Sequence, residues 1–209
     1  LPLQLVTGLR CDRLRFCDTV GILGPSQTAE KISTLVHEVG IPIEIHAHND
    51  FGMATANSIA GYEGGAEFIS VTVNGLGERP GNAALEEVVM ALKYVENRPV
   101  SFDISKLRML SDLVAKASGR ELPLNKPILG KNIFTHEAGI QVDGLSKDSK
   151  TYEAFNPSEI GGERQIVIGK HSGTNAVKIK FREFGIDLDD KMADKILETV
   201  REKSVELKR

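Results

Sequence analysis

The chain has few cysteines, no tryptophan and no long apolar run among its 209 residues. Its two cysteines, Cys11 and Cys17, are too few for a disulfide framework, and we predict reduced core residues of a cytoplasmic protein. No apolar stretch approaches the roughly 20 residues that span a bilayer. The first residues lack the layout of a signal peptide, so none is expected, and the missing Met suggests that residue 1 is not a natural start.

An excess of charge of one sign is also missing. Lys and Arg number 26 against 29 Asp and Glu, and the formal net charge is -3 at pH 7. Because the two signs are interspersed, the sequence argues against nucleic acid and against a membrane surface as partners. The length and the 41% of hydrophobic residues are those of a globular protein with a sizeable core.

The first hundred residues alternate strand and helix signals, which is typical of βα units around a parallel sheet. Strands are predicted at Leu14–Cys17, Ile41–Ile45 and Phe68–Val73, and a helix with amphipathic spacing follows each of them. A closed βα barrel needs eight such units in about 250 residues. Three strands cannot close, so their edges would be open to pairing.

After Pro99 the alternation ends. An amphipathic helix is predicted at 104–118. A mixed stretch follows from Pro127 to Gly169, with a short strand at 165–168. Two helices are predicted after it, at 173–184 and 189–207.

Two histidines follow the second predicted strand. His46 and His48 are two residues apart, so on a strand both side chains leave the same face. Neutral imidazoles beside an oxygen donor suit a divalent metal with open positions. Such a pair can also be structural. The loop 75–82, with charged and amide residues between glycines directly after a strand, favours a catalytic βα loop and a metal site.

Five short motifs carry a family resemblance by their joint order and spacing. They are Asp18–Gly21, His46–Asp50, Gly77–Asn82, Thr135–Gly139 and Gly169–Gly173. From about Arg13 to about Leu188 the chain resembles the α-isopropylmalate/homocitrate synthases, metal-dependent TIM barrels that condense acetyl-CoA with a 2-oxo acid. The resemblance implies an α/β fold with the last three βα units of a TIM (β/α)8 barrel, followed by a mostly helical C-terminal subdomain.

The resemblance also implies a division of the chain and a missing part. Residues 1–100 would be the C-terminal part of the catalytic barrel, 101–130 a helical connector and 131–209 an accessory subdomain. The family's metal carboxylate and an essential Arg lie in an Asp-Thr-Thr-Leu-Arg-Asp-type motif on the first strand, which this sequence lacks. We therefore expect an oligomer in which a complementary chain carries the first five strands. An incomplete sequence is the alternative.

The resemblance assigns metal and substrate residues by position. His46 and His48 would ligate a divalent metal (Mg²⁺, Mn²⁺ or Zn²⁺), and Asn82 would ligate it or lie just outside its ligand set. The family's Thr in the Asp-Thr-Val-Gly loop hydrogen-bonds the 2-oxo acid, which gives that role to Thr19.

Two acidic residues and an ion pair have competing interpretations. Glu78 and Arg79 would support the site electrostatically and order their loop, or simply pair with each other. Asp50 is more simply a helix N-cap than a reactive carboxylate. Asp18 could equally hold the geometry of its loop.

The residues of acid/base catalysis depart from the family pattern. Gln141 stands where the family has a His that reaches into the partner protomer's site, and an amide cannot transfer a proton near neutral pH. His136 is the candidate to replace it, with a structural role as the alternative. We expect His171 to have a packing or inter-subunit role and His37 to lie on the surface.

The function that the resemblance implies is that of an acyltransferase. It would condense acetyl-CoA with 2-oxoglutarate and water to give homocitrate and CoA. Residues 134–177 look most like the homocitrate synthases of nitrogen-fixing bacteria. The alternatives are 2-isopropylmalate, citramalate or (Re)-citrate synthesis by the same family, or a non-catalytic stabilising subunit.

Overall fold

The computed structural model describes residues 11–207, apart from the side chain of Ser146. The expectation that no signal peptide is present concerns residues outside this range. Contacts divide the chain into two compact units. Residues up to Asp103 together with Met109–Leu122 form the first, and Ile104–Arg108 together with Pro123 onward form the second. Among residues 11–207, no helix is long and apolar enough to cross a membrane.

The first unit contains the three predicted βα units around one parallel sheet. Its strands, in spatial order, are β1 (Leu14–Asp18), β2 (Ile43–Ala47) and β3 (Phe68–Ser70). The helices that follow them are α1 (Pro25–Val39), α2 (Ala54–Glu63) and α3 (Leu85–Tyr94). The prediction of three parallel βα units is confirmed.

Local sequence sets the ends of α1. Pro25 occupies its first turn, where the missing N–H costs nothing, and Gly40 ends it with a φ of 66°. His37 lies exposed on this helix, as predicted. Ile32, on the opposite side, is fully buried against Ile43 and Ile45 of β2.

The sheet has an apolar face and a polar face because side chains alternate along each strand. Leu14 and Phe16 of β1 pack into the core with Ile32, so Cys17 lies on the other face. Cys11 and Cys17 are free, as expected, but both are exposed, and the prediction that they are core residues was wrong. Ile32, Leu35 and Val36 of α1 pack on the apolar face, and Cys17 lies outside that core cluster.

β3 is shorter than the predicted strand 68–73. After Ser70 the chain stops pairing with β2, and Thr72 forms a bridge to Ala84 from its own loop. A 3₁₀ turn at Val73–Gly75 follows, with Asn74 in the left-handed region at φ 61°. Pairing with the returning loop replaces pairing within the sheet.

The second unit is mostly helical. Its two-stranded parallel sheet pairs β4 (Thr135–His136) with β5 (Gln165–Ile166). The helices from residue 107 onward are α4 (Leu107–Ser118, which begins here and continues in the first unit), α5 (Gly139–Lys147), α6 (Thr174–Arg182) and α7 (Asp190–Glu206). Short 3₁₀ segments lie at Ile104–Lys106, Ser149–Thr151 and Pro157–Ile160. The predictions of α4, α6 and α7 are confirmed, whereas β4 and α5 lie in the stretch read only as mixed.

A small apolar core joins the last two helices. Val177 of α6 packs with Ala193 and Leu197 of α7, and all three are buried. Asp189 caps α7, because its Oδ1 accepts a hydrogen bond from the Met192 N–H at 2.7 Å.

Candidate active site

The two predicted metal ligands lie side by side at the carboxyl end of β2. The ring centroids of His46 and His48 are 4.8 Å apart, with the rings at 85° to each other. Nδ1 of His46 lies 3.1 Å from the Ser70 hydroxyl on β3. Burial and then the Coulombic effect of the neighbouring His48 ring lower the pKa of His46. A pKa below the ordinary value of 6.5 makes His46 a neutral imidazole near pH 7. In the tautomer whose Nδ1–H donates to the Ser70 hydroxyl, Nε2 has a free lone pair.

Asn82 is brought to the same place by the loop after β3. Its backbone forms an antiparallel bridge with His48. Its Nδ2 donates to the Leu76 carbonyl at 3.1 Å, which directs the amide. Asn82 Oδ1 and His48 Nδ1 are both buried and have no hydrogen-bond partner within the described part of the chain. In the tautomer that leaves His48 Nδ1 unprotonated, both atoms are buried acceptors that a cation would satisfy.

Glycines allow the loop to fold this tightly. Gly81 has a φ of 98°, and a Cβ there would lie 2.0 Å from the Gly75 carbonyl oxygen. A Cβ on Gly77 would lie 2.6 Å from Asn82 Nδ2. The Gly81 carbonyl in turn accepts a hydrogen bond from the Asn49 N–H at 2.9 Å, which ties this loop to the one after β2.

Arg79 links the loops that follow all three strands. Its Nε and Nη2 donate to the two carboxylate oxygens of Asp50 at 2.8 and 3.0 Å. Nη2 also donates to the Thr19 carbonyl at 2.7 Å. Glu78 is a distant second partner, with its carboxylate 3.7 Å from Arg79 Nη1 and its side chain 83% exposed. The hydrogen bonds from Arg79 lower the pKa of Asp50.

Asp50 is therefore not the N-cap that the sequence suggested. Met53 occupies that position, and no side chain caps it. Asn49 Oδ1 accepts the hydrogen bond from the Ala54 N–H at 3.1 Å instead. The Asp50 carboxylate is already engaged by a guanidinium, which binds a carboxylate with two parallel bonds.

Hydrogen bonds to Asp18 stabilise the loop that carries Thr19. Asp18 is buried, and its two oxygens accept hydrogen bonds from the Ile22 and Leu23 N–H groups at 3.1 and 3.0 Å. Asp18 thus holds loop geometry, which was one of its two interpretations. The Thr19 side chain is exposed beyond it, at the carboxyl end of β1.

His136 belongs to the second unit. It is 6% exposed, and its Nε2 lies 3.2 Å from the Glu153 carboxylate. That carboxylate also accepts two hydrogen bonds from Arg164. Gln141 is half-buried on α5. His171 is exposed, and its backbone N–H donates to the Glu137 carboxylate, directly after β4, at 3.0 Å.

The donor set fits a divalent metal in part. The His46 and His48 rings are in contact, and the Asn82 backbone pairs with His48. His48 Nδ1 and Asn82 Oδ1 are buried without a hydrogen-bond partner among the described residues. Among residues 11–207 no group of three His, Cys, Asp or Glu side chains is placed to hold a metal, so a carboxylate ligand would come from elsewhere. Ser70 and Asp50 have roles here that sequence reasoning missed. Ser70 could have been found only from the register of β3 against β2.

Comparison with known proteins identifies the family of the chain. A family model described as HMGL-like matches residues 3–114, and one described as homocitrate synthase post-HMGL domain-like matches residues 128–208. The chain is 59% identical over 95% of its length to 2-isopropylmalate synthase 2 of Caldanaerobacter subterraneus, covering 52% of that protein. It is 49% identical over 94% of its length to homocitrate synthase 1 of Nostoc sp., again covering 52%.

A solved structure supports the architecture. The HMG-CoA lyase of Bacillus subtilis superposes with a TM-score of 0.51 at 25% identity, over 59% of this chain and 46% of that one. The fold is thus part of a TIM barrel followed by a mostly helical region. The chain spans about half the length of the curated relatives it matches. It belongs to the HMGL-like family, in the branch that contains the α-isopropylmalate and homocitrate synthases.

Proposed function

We propose that this chain is the C-terminal part of an acyltransferase that condenses acetyl-CoA with a 2-oxo acid and water and releases CoA. The observation that carries the proposal is the contact of His46 with His48 at the carboxyl end of β2, with Asn82 paired to His48 through the backbone and its Oδ1 unpartnered among the described residues. The proposed acceptor is 2-oxoglutarate, with homocitrate as product. The relative named homocitrate synthase 1, at 49% identity, supports this acceptor.

His46, His48 and Asn82 Oδ1 would hold the cofactor, a divalent Mg²⁺, Mn²⁺ or Zn²⁺. Such a metal supplies Lewis-acid polarisation of the 2-oxo acid's carbonyl. The Ser70 hydroxyl would orient the His46 ring by accepting a hydrogen bond from Nδ1–H, the tautomer that leaves Nε2 available to the metal. The Thr19 hydroxyl, exposed at the neighbouring strand end, would bind the 2-oxo acid.

The remaining proposed residues order the loop after β3 or transfer a proton. Arg79 orders that loop and adds a positive charge to the site, and the exposed Glu78 adds a negative charge beside it. His136 is the proposed proton-transfer group, since the Gln141 amide cannot fill that role. Its contact with Glu153 gives it the partner that a catalytic or a structural His requires.

The proposed active protein contains five further strands, supplied by a complementary chain or by the rest of a longer one. Within residues 11–207, β1 and β3 each pair only with β2, so the sheet has two open edges. The added strands would bring the metal carboxylate and the essential Arg. We place the assembled oligomer in the cytoplasm, because both described cysteines are free.

A second acceptor has a specific observation in its favour. The relative named 2-isopropylmalate synthase 2 is 59% identical, which favours 2-oxoisovalerate. Citramalate synthesis from pyruvate and (Re)-citrate synthesis from oxaloacetate are the remaining enzymatic alternatives. A non-catalytic subunit is the alternative outside enzymology.

The test is a CoA-release assay on the chain assembled with the complementary barrel half. Acetyl-CoA and Mn²⁺ are combined with each of the four 2-oxo acids in turn. We expect turnover with 2-oxoglutarate that is lost in His46→Ala and His48→Ala and kept in His37→Ala, a matched exposed histidine. If another 2-oxo acid is turned over faster, that acid replaces 2-oxoglutarate as the proposed acceptor. Activity that survives both His substitutions overturns the metal site, and tight assembly without any turnover indicates a non-catalytic subunit.

A further inference from the structure

Asp50 is a charged residue of the site to which the proposed reaction gives no role. It follows β2 by three residues, beyond the two histidines. Both of its carboxylate oxygens are engaged by Arg79, through Nε at 2.8 Å and Nη2 at 3.0 Å. This two-point geometry fixes the plane of the guanidinium as well as its position.

The guanidinium so oriented reaches a third loop. Arg79 Nη2 donates to the Thr19 carbonyl oxygen at 2.7 Å, so one side chain joins the loops after β1, β2 and β3. Arg79 has a φ of 54°, in the left-handed region that non-glycine residues rarely adopt. The backbone therefore accepts a strained conformation at the residue that makes these contacts.

The loop after β1 also touches Asp50 directly. Gly21 has a φ of 62°, and a Cβ built there would lie 2.6 Å from Asp50 Oδ2. The loop has room for Asp50 only because residue 21 lacks a side chain. Thr19 thus has two connections to Asp50, one through Arg79 and one through the chain at Gly21.

We propose that Asp50 is a positioning residue that, through Arg79, holds the Thr19 loop in the conformation that binds the 2-oxo acid. This inference rests on the proposed function for the role of Thr19. It assigns the Arg79 guanidinium to loop assembly, with its hydrogen bonds directed at Asp50 and Thr19. Asp50 acts through Arg79 and does not touch the substrate.

A direct role of Arg79 in substrate binding predicts a different effect on the KM. If Arg79 bound the carboxylate of the 2-oxo acid, Asp50 would compete with the substrate for the guanidinium. Removing the Asp50 carboxylate would then lower the KM for the 2-oxo acid. If Asp50 positions the loop, the same change raises that KM.

The experiment compares Asp50→Asn with Asp112→Asn in the assembled protein, since Asp112 is an exposed aspartate on α4. We expect Asp50→Asn to raise the KM for the 2-oxo acid about five- to tenfold, the effect of losing about one ordinary hydrogen bond, because Asn keeps one acceptor for Arg79 and the pair is partly exposed. The affinity for Mn²⁺ should stay unchanged. Asp50→Glu should restore part of the loss. Arg79→Lys combined with Asp50→Asn should be no worse than the more severe single variant, because the two residues act as one unit.

Hydrogen exchange separates this inference from the proposed function. The Ile22 and Leu23 N–H groups are bonded to Asp18 within the Thr19 loop. Asp50→Asn should speed their exchange about tenfold, and Asp112→Asn should not. If no 2-oxo acid is turned over, the proposed function fails and exchange alone decides the positioning role. Unchanged exchange at residues 19–23, or a lowered KM, overturns the role of Asp50.

Discussion

Nδ1 of His46 lies 3.1 Å from Oγ of Ser70, across the pairing of β2 with β3. The two residues are partners in the strand register, so their side chains leave the same face of the sheet. A ligand histidine needs its second nitrogen held, because that contact fixes both the tautomer and the ring orientation.

Ser70→Ala should therefore weaken Mn²⁺ binding by the assembled protein about tenfold, without loss of the fold. Calorimetric titration with Mn²⁺ measures it. Ser118→Ala, an exposed serine on α4, is the control. Ser70→Thr keeps the hydroxyl and should stay close to the parent. Equal affinity in Ser70→Ala would show that the contact does not orient His46.

Gly81→Ala should disrupt the loop that carries Asn82. The new Cβ would lie 2.0 Å from the Gly75 oxygen, whereas at Gly52, with a φ of 71°, a Cβ meets nothing within 4 Å. Gly52→Ala should then cost about 1 kcal/mol of unfolding free energy for the left-handed backbone alone. Gly81→Ala should cost about 2 kcal/mol or more and also weaken Mn²⁺ binding. Urea unfolding and metal titration measure both, and similar losses in the two variants would contradict the steric argument.

Asn74 connects the turn after β3 to α4, and its two substitutions should rank in a fixed order. Its Nδ2 donates to the Ser111 carbonyl at 3.0 Å and its Oδ1 accepts from the buried Ser111 hydroxyl. Asn74→Gly should lower the free energy of unfolding by about 2 kcal/mol, because the hydrogen bonds to Ser111 are missing. Asn74→Ala should lower it by about 1 kcal/mol more, because residue 74 has a φ of 61°, which alanine adopts less readily than glycine. Urea unfolding measures the order, and a more stable Asn74→Ala would refute it.

Glu153 should make the second unit sensitive to acid. Hydrogen bonds from Arg164 lower the pKa of Glu153 below its ordinary 4.5, so the unfolded chain takes up the proton first as pH falls. The stabilisation is complete above pH 4.5 and is lost as pH falls through the lower folded-state pKa.

Glu153→Gln should then lower the free energy of unfolding by about 3 kcal/mol at pH 7, the smallest loss expected for breaking a buried ion pair. The smallest loss applies because the Arg164 side chain is 34% exposed, so solvent screens the pair. The difference from the parent should shrink as pH falls below 4.5. Urea unfolding at several pH values tests this, with the exposed Glu163→Gln as control. A difference that stays constant with pH would exclude the carboxylate as its source.

The helices and strands that sequence predicted well are those with local determinants. Pro25 and Gly40 bound α1 by rules that involve only neighbouring residues. The shared face of His46 and His48 follows from strand geometry over three residues. Where the prediction failed, a distant partner decided. Asp50 is engaged by Arg79, 29 residues away, rather than by the helix that follows it.

By itself, the sequence determined the three βα units, their order and the shared strand face of His46 and His48, because periodicity and local geometry are properties of short segments. Only the tertiary structure decided that Ser70 faces His46, that Arg79 joins three loops and that β3 ends at Ser70. These contacts depend on the register between strands and on the paths of loops. Both are set by side-chain packing between residues far apart in the chain, which no local pattern encodes.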